Sequence, residues 1–151
     1  MIPGLHSDEA FMKEALKQAS YAFEEGEIPV GAVVVCDNKI IARAYNQVEK
    51  LNDVTAHAEI LAITSAENFL GTKYLTNCRL FVTLEPCAMC AGASYWSQIE
   101  QIVIGAKDDK RGFSTLAPKS LHPKTKVTIG VLESECAQLM TSFFQAIRDK
   151  N

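Results

Sequence analysis

An α/β domain with a single mixed sheet covered by helices is the fold this sequence predicts, and three observations predict it. Segments rich in Val and Ile alternate with segments whose apolar residues recur every three or four positions. No linker-like, repeated or low-complexity stretch interrupts the alternation. The chain has 151 residues, 48% hydrophobic and 22% charged, which is the size and composition of one ordinary globular domain spanning 1–151. A domain of this size buries enough surface to fold without a metal or disulfide staple.

The elements follow in order. Phe11, Met12, Ala15, Leu16, Ala19, Ala22 and Phe23 mark an amphipathic helix, with Ser7 or Asp8 as N-cap and Gly26 just past its end. Ile28 to Cys36 and Ile40 to Tyr45 read as a hairpin around the turn Asp37-Asn38-Lys39. A polar stretch from Asn46 to Thr55 leads into a helix from His57 to about Phe69, with Gly71 beyond it. Leu80 to Leu84 is a short strand closed by Glu85-Pro86, and Pro86 is expected to open a helix through Cys87, Cys90, Ala91, Ala93 and Trp96, because proline pre-sets a first-turn φ. Gln101 to Gly105 and Val127 to Val131 are the remaining strands, separated by an irregular basic segment, and Glu133 to Arg148 is a closing helix.

Charge and cysteine content exclude several classes. Fifteen Lys and Arg against eighteen Asp and Glu give −3, so the whole-molecule field does not attract a polyanion and any nucleic acid must meet a local patch. Such a patch exists: between Lys107 and Lys126, Lys107, Lys110, Arg111, Lys119, Lys124 and Lys126 outweigh Asp108 and Asp109, leaving +4 there and −7 elsewhere. Met1-Ile2-Pro3-Gly4 does not open a secretory signal, and no apolar run reaches the ~18 residues of a membrane span. A cytoplasmic protein with no membrane partner is expected. Five cysteines (Cys36, Cys78, Cys87, Cys90, Cys136) without an export signal argue against a disulfide framework and leave thiols free to bind metal.

His57-Ala58-Glu59 enters one helix and Pro86-Cys87-Ala88-Met89-Cys90 enters another. Residues i and i+3 share a helical face, so Cys87 and Cys90 can offer both sulfurs to one ion, and a helix N-terminus favours their thiolates. Two thiolates and the His57 imidazole give Zn²⁺ three protein ligands, which leaves the open position of a catalytic site. Glu59 is the candidate proton carrier. Positions i and i+2 of a regular helix point apart, so this assignment requires His57 to sit at the helix boundary.

His-x-Glu followed by Pro-Cys-x-x-Cys is the signature of zinc deaminases. Around it, Glu27-Ile28-Pro29-Val30-Gly31-Ala32-Val33, Asn46, Asp53-Val54-Thr55-Ala56-His57-Ala58-Glu59, Thr83-Leu84-Glu85-Pro86-Cys87-Ala88-Met89-Cys90-Ala91-Gly92-Ala93 and Gly105-Ala106-Lys107-Asp108 resemble the bacterial tRNA adenosine deaminase family, closely through residue 115 and more loosely beyond. The resemblance implies a three-layer, cytidine-deaminase-like fold with a five-stranded mixed sheet, zinc on His57, Cys87 and Cys90, and Glu59 as proton shuttle. It further implies that Asn46 hydrogen-bonds the target base, Ile28 packs on its face, the Ala58 backbone reads a polar edge, and Asp108 lies at the mouth near flanking nucleotides. The expected reaction converts the wobble adenosine of a tRNA anticodon stem-loop to inosine with release of ammonia, in a homodimer. The sequence departs from the family at Leu121-His122-Pro123-Lys124-Thr125-Lys126, where an Asn-His segment is usual, in a final helix with Phe143-Phe144 and only Arg148 and Lys150 as basic residues, and at Val54 in place of a frequent proline.

Other readings stand beside this one. Deamination of a free nucleobase or nucleoside, of guanine or cytosine type, keeps the metal motifs, and Tyr95-Trp96 resembles guanine deaminases at that point. Cys87 and Cys90 could be a redox pair, or Cys78 or Cys136 could close a structural zinc site in a noncatalytic binding module. For Cys36, Cys78 and Cys136 a buried inert thiol is the expectation. His6 and His122 read as solvated and loop histidines, Asn46 could simply turn the chain, and Ala91-Gly92-Ala93 could admit another backbone. Tyr95, Trp96, Phe143 and Phe144 are core or interface candidates.

Overall fold

The computed structural model describes residues 4–150, so most of the Met1-Ile2-Pro3-Gly4 segment lies outside the described residues. The elements are α1 (Asp8–Glu24), β1 (Gly31–Cys36), β2 (Lys39–Tyr45), α2 (Val48–Leu51), α3 (Ala58–Leu70), β3 (Cys78–Leu84), α4 (Ala88–Ser97), β4 (Gln101–Ala106), α5 (Phe113–Leu116), β5 (Lys126–Ile129) and α6 (Glu133–Lys150). Local chemistry accounts for most of their ends. Ser7 caps α1 by accepting from the Ala10 amide, Gly71 ends α3 in the left-handed region, and Asp37 and Asn38 both take positive φ in the tight β1–β2 turn.

The five strands form one sheet in the order β2-β1-β3-β4-β5. β1 pairs antiparallel with β2 and β3, while β3–β4 and β4–β5 are parallel, as connections through helices require. Because strand side chains alternate, the sheet has two buried faces. Val34, Leu80, Val82, Ile102 and Ile104 pack with Ala62, Ile63 and Ala66 of α3, whereas Val33, Val35, Phe81 and Val103 pack with Phe11, Met12 and Ala15 of α1 and Cys136 of α6. The expected three-layer arrangement with a five-stranded mixed sheet is therefore present.

Some expected boundaries move. The first strand begins at Gly31 rather than Ile28, and the last spans Lys126–Ile129 rather than Val127–Val131. Pro86 does not open its helix: Cys87 is the N-cap and Ala88 the first helical residue, because the Pro86 carbonyl is occupied by the Phe113 amide at 2.9 Å. The short helices α2 and α5 fall in segments that carry no periodic apolar signal. Among the described residues, no helix is long and apolar enough to cross a membrane.

One glycine marks how tightly the layers close. The Gly31 amide donates to Thr83 Oγ1 at 3.1 Å, and a Cβ at Gly31 would lie 2.1 Å from the Ala15 carbonyl oxygen and 2.4 Å from the Ala19 nitrogen. Both obstacles are helix backbone, which cannot swing aside. Gly31→Ala is expected to destabilise the fold by about 1–3 kcal/mol or more, read as a lowered urea midpoint with an unchanged m-value. An unaltered midpoint would show that α1 docks less closely than described. Gly92 is the opposite case: a Cβ there meets nothing within 4 Å, so among the described residues no other backbone packs against it.

Candidate metal centre and active site

α3 and α4 both start at the end of the sheet where β2 and β3 finish, and each presents a ligand at its cap. His57 is the N-cap of α3 with φ −73° and ψ 152°, and its side chain makes no capping bond. The imidazole is thereby not engaged by the helix backbone. Its extended ψ answers the geometric requirement of the sequence: the helical rule that sends i and i+2 to opposite sides does not apply across a residue outside the helix. Glu59 turns onto the buried face of α3 with Ala58, Ala62, Ile63 and Ala66.

Cys87 is the N-cap of α4 and Cys90 lies one turn on, fully buried. His57 Nδ1 is 3.7 Å from Cys87 Sγ and 3.5 Å from Cys90 Sγ, and the three donor atoms all lie within 4.8 Å of one another. Donors on a tetrahedral zinc, at about 2.3 Å for sulfur and about 2.0–2.1 Å for nitrogen, are about 3.6 Å apart. The donor set and its spacing therefore fit zinc. No fourth His, Cys, Asp or Glu joins the cluster among the described residues, so neither Cys78 nor Cys136 closes it.

The electrostatics of the ligands are set by proximity. A hydrogen bond from Cys90, helped by one from His57, holds the Cys87 thiol down to about 4, against the opposing effect of burial. Cys90, as the donor in that pair and buried besides, is raised, and His57 is raised chiefly by its bond to Cys87. Burial pushes the Glu59 carboxyl up to about 7, opposed by the charge of His57 and reinforced by that of Cys87. Three protein ligands beside a carboxyl that titrates near neutrality are the parts of metal-assisted hydrolysis.

The family model of the cytidine and deoxycytidylate deaminase zinc-binding region matches residues 5–106. The chain belongs to this family. It is 46% identical over 146 residues to the tRNA-specific adenosine deaminase of Aquifex aeolicus (strain VF5), covering 93% of this chain and 96% of that one. Identity to the protein of the same name from Bacillus subtilis (strain 168) is 46% over 148 residues, covering 95% and 92%. A solved structure from work on A-to-I editing by tRNA:A34 deaminases superposes with a TM-score of 0.81 at 43% identity, covering 85% of this chain and 97% of that chain. The guanine deaminase of Nitrosomonas europaea gives a TM-score of 0.76 at 25% identity, covering 95% and 93%.

In this cytidine and deoxycytidylate deaminase relative, the other sequence-selected residues are distributed as follows. Asn46 is buried at the end of β2; its Nδ2 donates to the Ile28 carbonyl at 3.2 Å and its Oδ1 accepts from the Val48 amide at 3.4 Å. It does turn the chain, and an amide with two donors and two lone pairs keeps one of each. Ile28, 41% exposed, is fixed by that bond beside it. Ala58 is the first residue of α3, and its amide has no backbone acceptor among the described residues. Asp108 Oδ1 accepts from the amides of Lys110 at 3.1 Å and Arg111 at 3.0 Å.

Burial holds the Cys78 and Cys136 thiols up to about 12, consistent with inert cysteines, while Cys36 is half-buried. His6 is exposed and His122 packs on Tyr95 with ring centroids 5.4 Å apart. Phe143 is core, meeting Phe23 of α1 edge-on, whereas Phe144 is exposed. All six basic residues of the Lys107–Lys126 segment are exposed.

Two buried carboxylates escaped the sequence reading. Glu27 accepts from the amides of Glu49 at 3.0 Å and Lys50 at 2.8 Å, pinning α2 beside Asn46. Glu85 accepts from the Asp108 amide and from Ser114. A signal was available for Glu85: a carboxylate that directly continues the apolar run Leu80 to Leu84 is placed where burial is expected, and a buried carboxylate needs partners.

Proposed function

We propose that this chain is a zinc-dependent hydrolytic deaminase converting the wobble adenosine of a tRNA anticodon stem-loop to inosine with release of ammonia. The observation that carries the reading is the convergence of His57, Cys87 and Cys90, with Glu59 against them, in a chain 46% identical to proteins named tRNA-specific adenosine deaminase. It acts as one domain over 1–151, and a cytoplasmic location goes with that substrate.

His57, Cys87 and Cys90 hold the ion. Zinc, when bound, acts as a Lewis acid that brings the pKa of water to ~7. Glu59 takes a proton from the attacking water and delivers it to the ring nitrogen next to adenine C6, then takes the proton of the new C6 hydroxyl and passes it to the amino group, so that the C6–N bond breaks, ammonia leaves and C6 keeps its oxygen as a carbonyl. Its raised pKa suits both directions of transfer near neutral pH. Asn46 offers its remaining N–H and lone pair to the base, Ile28 covers the ring face, and the Ala58 amide at the start of α3 meets a polar edge. Asp108 shapes the mouth while Lys107, Lys110 and Arg111 meet phosphates. A homodimer is supported by Trp96, 77% exposed, and by Tyr95 beside it on the wall of a groove of about 600 Å³ between α3 and α4, an apolar, aromatic surface of the kind found in interfaces.

The likeness to a guanine deaminase supports a second reading, a free purine as substrate. Purified zinc-loaded protein incubated with an anticodon stem-loop, and separately with free bases and nucleosides, decides between them. Ammonia and inosine from the stem-loop are expected, with the apparent affinity falling as salt rises, because phosphate contacts release counterions. Turnover of guanine alone, insensitive to salt, would transfer the assignment to the second reading.

A further inference from the structure

We propose that Glu85 is a positioning residue for RNA: one buried carboxylate locks the basic turn after β4 against the rim of the metal centre. The inference rests on the tRNA reading above. Glu85 is 3% exposed, where an unpartnered charge would be costly. It is instead partnered on both oxygens. Oε1 accepts from the Asp108 amide at 3.1 Å, and Oε2 accepts from the Ser114 amide at 2.9 Å and the Ser114 hydroxyl at 2.5 Å. A single side chain therefore grips both ends of the loop between β4 and α5.

The neighbours of Glu85 reinforce the same join. The Pro86 carbonyl accepts from the Phe113 amide at 2.9 Å, and Cys87, a ligand candidate, forms a β-bridge with Gly112. Contact there is close enough to exclude a side chain: a Cβ on Gly112 would lie 2.3 Å from Glu85 Cδ and 2.5 Å from the Asp108 carbonyl oxygen. Inside the clamped loop, Asp108 Oδ1 holds the amides of Lys110 and Arg111, which sets the direction of a tight turn.

The choice of partners gives the clamp its functional sense. All hydrogen-bond donors to Glu85 are neutral N–H or O–H groups. Lys107, Lys110 and Arg111 are exposed, and none forms an ion pair among the described residues. The carboxylate organises the turn without consuming its cations, which stay free for phosphate. Phosphate contacts of this type set register and orientation on a nucleic acid, so a loosened turn weakens binding more than chemistry.

Glu85→Gln replaces one acceptor oxygen by an NH2 that faces another donor. Gly112→Ala leaves Glu85 intact and wedges the loop away from it, which serves as an independent probe if the first variant folds poorly. Both are expected to keep zinc at wild-type stoichiometry and kcat on a synthetic anticodon stem-loop within about twofold. KM should rise on the order of tenfold, and the slope of log KM against log salt should become shallower as phosphate contacts are lost. A role confined to stability would leave that slope unchanged. Folded, zinc-loaded variants with wild-type KM and slope would overturn the proposal, as would loss of zinc and kcat together, which would assign Glu85 to the metal helix. Amide hydrogen exchange keeps the two readings apart: in Glu85→Gln the Asp108 and Ser114 amides should lose protection whatever the substrate. If that protection is lost but the wild-type protein releases no ammonia from the stem-loop, the tRNA reading fails and the role in RNA binding falls with it; if turnover is normal and protection persists, the clamp itself is wrong.

Discussion

Glu59→Ala is expected to lower turnover by at least 10²- to 10⁴-fold, the loss usual when a general acid–base group is removed, while leaving zinc content and fold intact. In free energy this is about 3–5 kcal/mol of transition-state stabilisation. The size of the effect follows from the environment of the carboxyl. Glu59 is buried, its pKa is raised to about 7 by that burial, and it stands against the three candidate ligands without being one of them. A group with this pKa is present in both protonation states near neutral pH, so it can accept a proton and return it in one cycle. Zinc should persist because His57, Cys87 and Cys90 are untouched. Ammonia release and metal analysis on the same preparation check both halves of the statement. A zinc-loaded Glu59→Ala protein with near-normal turnover would remove this residue from the mechanism.

Cys87→Ala should abolish stable zinc binding and, with it, activity. The thiol of Cys87 is held near 4 by the hydrogen bonds of Cys90 and His57, so at neutral pH it is already a thiolate, the form that ligates metal. Removing it leaves one sulfur and one imidazole, half of a tetrahedral shell, with no other His, Cys, Asp or Glu in the cluster among the described residues to replace it. The fold should survive, since Cys87 belongs to neither apolar cluster of the sheet. Cys36→Ala is the matched control and should retain zinc. Stoichiometric metal in dialysed Cys87→Ala would show that the ligand set has been assigned wrongly.

Residues whose roles depend on near neighbours in the chain were the ones legible beforehand. Cys87 and Cys90 at i and i+3, the cap signal of α1 and the glycines beyond the ends of α1 and α3 are all consequences of local geometry. Asn46 was only half legible: a polar residue at a strand end announces a turn, but the bond from its Nδ2 to the Ile28 carbonyl joins positions 18 apart. Pro86 misled for a related reason. Its intrinsic φ preference fits a helix start, yet the Phe113 amide, far along the chain, claims its carbonyl and shifts the start to Ala88.

By itself the sequence determined which atoms could ligate a metal, which carboxylate stood beside them, and that strands and helices would alternate in one layered sheet. These follow from residue type and from spacings of a few residues, where covalent geometry leaves few options. The tertiary structure alone decided that His57 would cap its helix with extended backbone, turning Glu59 inward, and that Glu27 and Glu85 would be buried to anchor the loops beside the site. Those outcomes join segments some 20 to 30 residues apart, and such distances are closed only by packing the two faces of the sheet, a property of the whole core that no short window of sequence contains.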